Sequence, residues 1–124
     1  MRVIDPGHKY ALKHLDGEGE EIITYVKRVG AKYPGNVGCH SGTTLQEEWR
    51  AQIHRLRYLD QQEPCNETKI CIDQLQLCIM RLEARAARKH GRPAPVEYND
   101  RDLRIIEDFP VCDNCGHIGC EGNC

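Results

Sequence analysis

The stretch that decides the fold spans residues 44–90 and is TLQEEWRAQIHRLRYLDQQEPCNETKICIDQLQLCIMRLEARAARKH. Apolar residues recur at helical spacing along one side of its first half: Leu45, Trp49, Ile53, Leu56 and Leu59. A second apolar set steps by three and four residues, which is the spacing of a coiled-coil seam: Ile72, Leu75, Ile79, Leu82 and Ala86. Glu63-Pro64-Cys65 separates the two patterns. The stretch predicts an antiparallel hairpin of two helices, one from about 44 to 60 and one with Asn66 as its N-cap.

The ends of these helices carry signals of their own. Thr44 is followed three residues later by Glu47, which matches the capping box of a helix start. The second helix ends in a basic run, 85–89, close to Gly91, a residue suited to the position after a C-cap. The basic run is consistent with two roles: its charges complement the negative end of the helix dipole, or they contact an anion.

The residues before the helices predict β-structure. Segments 8–15 and 22–29 are rich in β-formers and flank a turn at Asp16-Gly17, which predicts an antiparallel hairpin with an elongated loop. Residues 30–42 hold many glycines and a proline, so an irregular loop is expected there. An isolated two-stranded hairpin is marginal in water and must pack against something else.

These elements together predict an α+β fold. An N-terminal antiparallel β-hairpin or small sheet packs on the two-helix hairpin, and residues 1–92 form one ligand-binding domain. Residues 93–111 are expected to be a linker with one short helix at 99–108. Residues 112–124 form a short Cys-rich tail.

Overall charge and hydropathy exclude several classes of protein. The chain has 17 Lys and Arg residues and 19 Asp and Glu residues, so its net charge is −2. A non-specific nucleic-acid binder is usually strongly basic, so this charge argues against that class. No apolar run approaches the roughly 18 residues that a membrane span needs. The N-terminus lacks the apolar region of a secretory signal, so a cytoplasmic location is expected.

The C-terminal tail holds the sharpest local motif, a cluster of four cysteines: Cys112, Cys115, Cys120 and Cys124. Four thiolates at these spacings can close a tetrahedral Zn²⁺ site, with His117 as an alternative to one of the cysteines. An unstructured tail and a redox or disulfide role are the other interpretations. A structural rather than catalytic zinc is expected, because the chain lacks the His-x-Glu of zinc deaminases.

Two further features point to ligand binding. The loop 33–42 runs into a helix N-terminus, where glycines and backbone amides suit an anion, although the glycines also turn the chain. Arg50, His54 and Arg57 form a row on the first helix that is either a solvated face or a pyrophosphate clamp. Because no nucleophile or carboxylate pair has a catalytic setting, the sequence predicts a binding protein rather than an enzyme.

An ordered set of short motifs runs through the chain: Asp5-Pro6-Gly7-His8-Lys9-Tyr10, Leu15-Asp16-Gly17, Tyr25-Val26-Lys27-Arg28, Tyr33-Pro34-Gly35-Asn36-Val37-Gly38, Gly42-Thr43-Thr44-x-Gln46-Glu47, Arg55-x-x-Tyr58-Leu59-Asp60, Leu82-Glu83-x-Arg85-Ala86-Ala87 and His90-Gly91-Arg92. This set covers roughly residues 2–92 and resembles the Thoeris anti-defence sponge family of phage proteins. Cys115-Gly116-His117-Ile118 with Cys120 resembles an ending that some members carry.

The resemblance implies a function that composition does not show. Members of the family bind and sequester the cyclic ADP-ribose isomers (gcADPR) that bacterial TIR-domain enzymes produce, which blocks Thoeris immune signalling in the host cytoplasm without degrading the ligand. Some members also hold cyclic oligonucleotides at a separate site. Members build a helical-hairpin oligomer.

The chemistry of a cyclised ADP-ribose selects candidate contacts in this chain. Its phosphates, ribose hydroxyls and purine call for arginines, neutral hydrogen-bonding groups and aromatic planes. The candidates, in that order, are Arg57 and Arg28, then Asn36 and Thr43, then Tyr33 or Tyr58. Because one small hairpin offers few walls, a pocket around a nucleotide is expected to need two chains, in a homodimer or a homohexamer.

Two other functional classes compete with this interpretation. A small zinc-containing nucleic-acid-binding or adaptor protein would use the tail, but residues 112–124 contain no aromatic side chain for base stacking. A phosphodiesterase acting on the same signal would need a metal cluster of Asp and His, which the sequence does not supply.

Overall fold

The computed structural model describes residues 1–29, residues 38–95 and Tyr98. The elements, in chain order, are the strands β1 (Arg2–Asp5), β2 (Lys9–Lys13), β3 (Glu20–Thr24), β4 (Lys27–Val29) and β5 (Gly38–His40), followed by the helices α1 (Leu45–Gln62) and α2 (Asn66–Lys89). The predicted α+β class is confirmed. The chain divides into two compact units, Met1–Glu48 and Trp49–Cys124, with the boundary inside α1.

The first sheet has three antiparallel strands in the order β1-β2-β3. The predicted hairpin is its β2–β3 pair, in which Ala11 lies opposite Ile22. Ala11 is fully buried, whereas Val3 and Ile4 of β1 are 50% and 41% exposed. The strand β1 was not predicted, because four residues without a buried alternating face give no sequence signal.

The prediction for residues 22–42 is wrong in two places. The predicted second strand breaks at Tyr25 and Val26, because Tyr25 forms an isolated parallel bridge with Thr43. The chain then resumes as β4, which pairs antiparallel with β5 inside the segment predicted as an irregular loop. Pairing with β4, the preceding strand of the chain, overrides the local breaker signal of the glycines.

The predicted helical hairpin is confirmed, and α1 and α2 pack together in the second unit. Ile53, Ile72 and Ile79 form the buried core, and four partly buried side chains pack against it: Trp49, Leu56, Leu75 and Tyr98. The antiparallel direction follows from two interhelical ion pairs. Arg50 meets Glu83 at 3.3 Å near the open end, and Asp60 meets Lys69 at 3.0 Å near the connection.

The connection between the helices corrects the predicted cap. Asn66 is the first residue of α2, and Cys65 occupies the N-cap position without a side-chain cap bond. Asp60 supplies the side-chain hydrogen-bond acceptor beside the start of α2, because its Oδ1 accepts from the Cys65 backbone N–H and from the Lys69 ammonium, each at 3.0 Å. The hydrogen bond from the Cys65 N–H lowers the pKa of the Asp60 carboxyl most, and the hydrogen bond from Lys69 lowers it less.

The other two predicted helix ends are confirmed. The Glu47 N–H donates to Thr44 Oγ1 at 3.2 Å, as a capping residue requires. At the end of α2, Gly91 has φ of 65°, and the Arg92 N–H donates to the Ala87 carbonyl at 2.8 Å. With the Gly91 N–H donating to the Arg88 carbonyl at 3.5 Å, this is a Schellman motif. Within the described ranges, no helix is long and apolar enough to span a membrane.

Candidate ligand-binding site

The six predicted ligand contacts fall into three groups. Arg28 and Thr43 belong to the first compact unit, and Arg57 and Tyr58 belong to the second. Tyr33 and Asn36 lie outside the described residues. The structure therefore gives two local environments, which are described separately.

Thr43 is fixed by its backbone. Its N–H donates to the Thr24 carbonyl at 2.8 Å, and its carbonyl accepts from the Val26 N–H at 2.9 Å. A Cβ on the preceding Gly42 would lie only 2.4 Å from the Tyr25 carbonyl carbon. At Gly42, the glycine is thus required by close approach of two backbone segments.

Two tyrosines that the sequence analysis did not single out, Tyr10 and Tyr25, lie at or near the crossing, which is the close approach of the Gly42-Thr43 backbone to the Tyr25-Val26 backbone. The Tyr25 hydroxyl donates to Glu48 Oε2 in the first turns of α1. Its ring meets the Tyr10 ring edge-on, with 6.0 Å between centroids, and the Tyr10 hydroxyl accepts from the Gly7 N–H at 2.9 Å. In the sequence, Tyr10 and Tyr25 lie in β-rich segments and in the quoted motif set, but neither pattern indicates that the two rings meet.

Tyr25 is expected to make the first unit sensitive to alkaline pH. The pKa of Tyr25 is raised from 10.0 to about 12, mainly by burial and to a smaller extent by the hydrogen bond to Glu48. A raised folded-state pKa means that the neutral phenol is the stabilised form. Its contribution is therefore fully present below about pH 10 and is lost as the pH rises towards 12. Urea unfolding at stepped pH should show a steeper loss between pH 10 and 12 for the wild type than for Tyr25→Phe, and parallel profiles would contradict this role.

Arg28 lies in β4 directly opposite Cys39 of β5, and its side chain is exposed. The neighbouring Lys27 donates to Asp5 Oδ2 at 3.1 Å. Because successive side chains of a strand point to opposite faces, Arg28 presents its charge on the face away from that ion pair.

Arg57 and Tyr58 are adjacent on α1 and both are half-buried. The Tyr58 hydroxyl accepts from Gln62 Nε2 at 2.9 Å. The Arg55 guanidinium lies 5.5 Å from the centroid of the Tyr58 ring, which is a cation–π distance. Tyr58 is therefore held at its hydroxyl and over its ring, and it forms part of a planar, cationic surface.

The predicted row of Arg50, His54 and Arg57 is not a uniform solvated face. Arg50 is only 8% exposed, and its guanidinium lies 3.3 Å from Glu83 on α2. Such a buried arginine needs its carboxylate partner, so Arg50 has a structural role in the helix pair. His54 and Arg57 are half-buried further along α1.

The predicted metal ligands, Cys112, Cys115, Cys120 and Cys124, lie outside the described residues. In the part of the chain that is described, no group of three or more His, Cys, Asp or Glu side chains is arranged to hold a metal ion. Free thiols occur there at Cys39, Cys65, Cys71 and Cys78.

The fold and the local site define an α+β protein with a polar and aromatic helix surface. Comparisons of the chain with protein-family models, with curated proteins and with solved structures give no match.

Proposed function

We propose that this protein binds and sequesters a TIR-produced cyclic ADP-ribose isomer (gcADPR) without degrading it, and so blocks Thoeris signalling in the bacterial host cytoplasm. The observation that carries the proposal is the ordered motif set over residues 2–92, which resembles the Thoeris anti-defence sponge family. The small sheet followed by a helical hairpin is compatible with it. The proposal extends to a homodimer or homohexamer and to cyclic oligonucleotides as a second ligand class.

Each compact unit holds candidate nucleotide contacts of its own, and each set is proposed by itself. Arg57 and Arg28 are proposed to contact the phosphates, because guanidinium groups match phosphate oxygens in a bidentate geometry. Thr43 and Asn36 are proposed to bind the ribose hydroxyls. The ring of Tyr58, together with Arg55 above it, offers a plane on which a purine can stack, and Tyr33 is the alternative stacking residue.

Replacing Arg57 by alanine is expected to weaken gcADPR binding roughly 10- to 150-fold. A charge-assisted hydrogen bond to a desolvated phosphate contributes about 1.5 to 3 kcal/mol, and alanine removes it. Isothermal titration calorimetry with gcADPR measures the loss directly. Circular dichroism of the same sample shows whether the variant remains folded.

The control for this variant is Arg2→Ala rather than Arg55→Ala. Arg55 lies over the Tyr58 ring, so its removal would disturb a proposed stacking surface. Arg2 is an exposed arginine whose guanidinium meets Glu20 at 2.9 Å, and it has no proposed ligand role. Equal affinities for Arg57→Ala and Arg2→Ala would remove Arg57 from the site.

The proposal includes one structural Zn²⁺ per chain in the C-terminal tail. The four cysteines of residues 112–124 supply a complete tetrahedral thiolate set, in which His117 can replace one ligand. Metal analysis of the full chain, purified without chelator, should give a zinc-to-protein ratio near one. Cys112→Ser should lower the ratio while Cys39→Ser leaves it unchanged, and a wild-type ratio near zero would contradict the zinc site.

A further inference from the structure

The loop between β2 and β3, residues 14–19, contains a histidine whose two ring nitrogens both contact oxygen atoms. His14 Nδ1 lies 2.9 Å from the Glu18 carbonyl oxygen, and His14 Nε2 lies 2.9 Å from Oε1 of Glu21. Glu18 belongs to the loop, whereas Glu21 belongs to β3. The imidazole therefore joins the start of the loop both to its end and to the following strand.

The backbone of the loop positions this ring. The His14 N–H donates to the Gly19 carbonyl at 3.2 Å, and the Gly17 N–H donates to the His14 carbonyl at 3.0 Å. Gly19 has φ of +84°, and a Cβ at this position would lie only 2.9 Å from His14 Nδ1. Glycine suits position 19 for two reasons, because it adopts a left-handed backbone conformation and because it leaves room for the imidazole.

The partners of the ring determine which protonation state fits the loop. A neutral imidazole has one N–H donor and one acceptor nitrogen, whereas an imidazolium has two N–H donors. A backbone carbonyl and an ionised carboxylate can only accept, so both contacts are hydrogen bonds only when His14 is protonated. When the ring loses a proton, one of its nitrogens presents a lone pair to an oxygen lone pair, and that contact is no longer a hydrogen bond.

We infer that His14 is a pH-operated clamp, which holds the β2–β3 loop closed while its ring is protonated and releases one of its two contacts when the ring is neutral. The His14 side chain is 42% exposed, so protons exchange directly between the ring and the solvent. The inference uses none of the residues proposed to bind gcADPR, and it needs no bound molecule. It is therefore independent of the proposed function.

The direction of the pH dependence follows from the same contacts. The pKa of His14 is raised above its usual value of 6.5, mainly by the hydrogen bond to Glu21 and to a smaller extent by the hydrogen bond to the Glu18 carbonyl. A folded-state pKa above the unfolded value means that the protonated form is the stabilised one. The clamp is therefore fully closed below about pH 6.5 and opens as the pH rises through the pKa of the folded protein.

Glu21 supplies the carboxylate that bonds to the ring, and the other charges near the loop have different positions. Oδ1 of Asp16 accepts from the Glu18 N–H at 2.9 Å, so this carboxylate is bonded to the loop backbone. Three more charged side chains lie on the opposite face of the sheet: Arg2, Lys13 and Glu20. Successive residues of a strand alternate between faces, so Glu20 points away from the side on which Glu21 meets the ring.

Proton NMR of the full chain tests the clamp through the Cε1–H signal of His14, followed from about pH 5 to about pH 9. His14→Gln identifies this signal among those of the six histidines. The wild-type titration midpoint should lie above 6.5. Glu21→Gln, which keeps an oxygen acceptor but removes the charge, should lower the midpoint, and Glu20→Gln on the opposite face should leave it unchanged. A wild-type midpoint at or below 6.5, or equal midpoints for the wild type and Glu21→Gln, would overturn the inference.

Closure of the loop is measured in the wild type by the nuclear Overhauser effect between the His14 ring and the Gly19 Hα protons. A Cβ on Gly19 would lie 3.1 Å from His14 Cε1, so the ring proton and the glycine protons are close while the clamp is closed. This effect should weaken as the pH rises through the midpoint, while the cross-strand effect between Ala11 and Ile22 stays constant. A ring-to-Gly19 effect that is unchanged across the titration would overturn the pH-operated release.

Discussion

Ile53→Ala is expected to lower the free energy of unfolding of the helical hairpin by about 2 to 5 kcal/mol. Ile53 is 0% exposed and packs with Ile72 and Ile79 in a core of few residues. Removing three side-chain carbons loses their transfer free energy and leaves a cavity that neighbouring backbone fills only in part. Urea unfolding followed by circular dichroism at 222 nm measures the change.

Leu59→Ala is the matched control for the core variant. Leu59 belongs to the same predicted apolar stripe of α1 but is 38% exposed. Its truncation should cost less than about 1.5 kcal/mol, because part of its surface stays in water in the folded protein. Equal losses for Ile53→Ala and Leu59→Ala would contradict the assignment of the core.

Gly42→Ala is expected to destabilise the first compact unit by about 2 to 4 kcal/mol. The new Cβ would lie 2.4 Å from the Tyr25 carbonyl carbon and 2.5 Å from the Val26 nitrogen, both of them backbone atoms that a rotamer change does not move. The crossing must open, which strains the two hydrogen bonds of Thr43. Thermal unfolding and protection of the Thr43 amide from hydrogen exchange report the effect.

Gly7→Ala separates this steric effect from backbone strain. Gly7 has φ of +81°, and nothing lies within 4 Å of the Cβ it would acquire. Its substitution should cost only about 1 to 2 kcal/mol, the penalty of a left-handed conformation for an L-residue. A Gly42→Ala protein as stable as wild type would contradict the close backbone approach.

The helical hairpin was predictable because its signals are local. Apolar spacing, the Thr44 cap and the Gly91 C′ position each act within a few residues, and the structure contains all three. The strands β1 and β5 were missed, because each is three or four residues long and depends on a partner elsewhere in the chain. Asn66 was mistaken for a cap, because the competing acceptor, Asp60, lies six residues earlier across the turn.

The candidate site was predictable only in part. Several residues of the quoted motifs have structural partners, among them Asp60 at the interhelical turn and Glu83 opposite Arg50. The spacing of Arg50, His54 and Arg57 along α1 does not indicate that Arg50 is buried, because its burial depends on the packing of α2 against α1. Arg57, Tyr58, Arg28 and Thr43 remain predictions as ligand contacts, and Tyr33, Asn36 and the cysteine tail lie outside the described residues.

The proposed sequestration of gcADPR is tested most directly by recovery of the ligand. The full chain is incubated with gcADPR and filtered to remove unbound ligand, and the retained protein is heat-denatured before the supernatant is analysed by chromatography and mass spectrometry. We expect the retained protein to release gcADPR intact and in near-stoichiometric amount. Recovery of hydrolysed ADP-ribose would show an enzyme, and absence of gcADPR from the retained fraction would contradict binding itself.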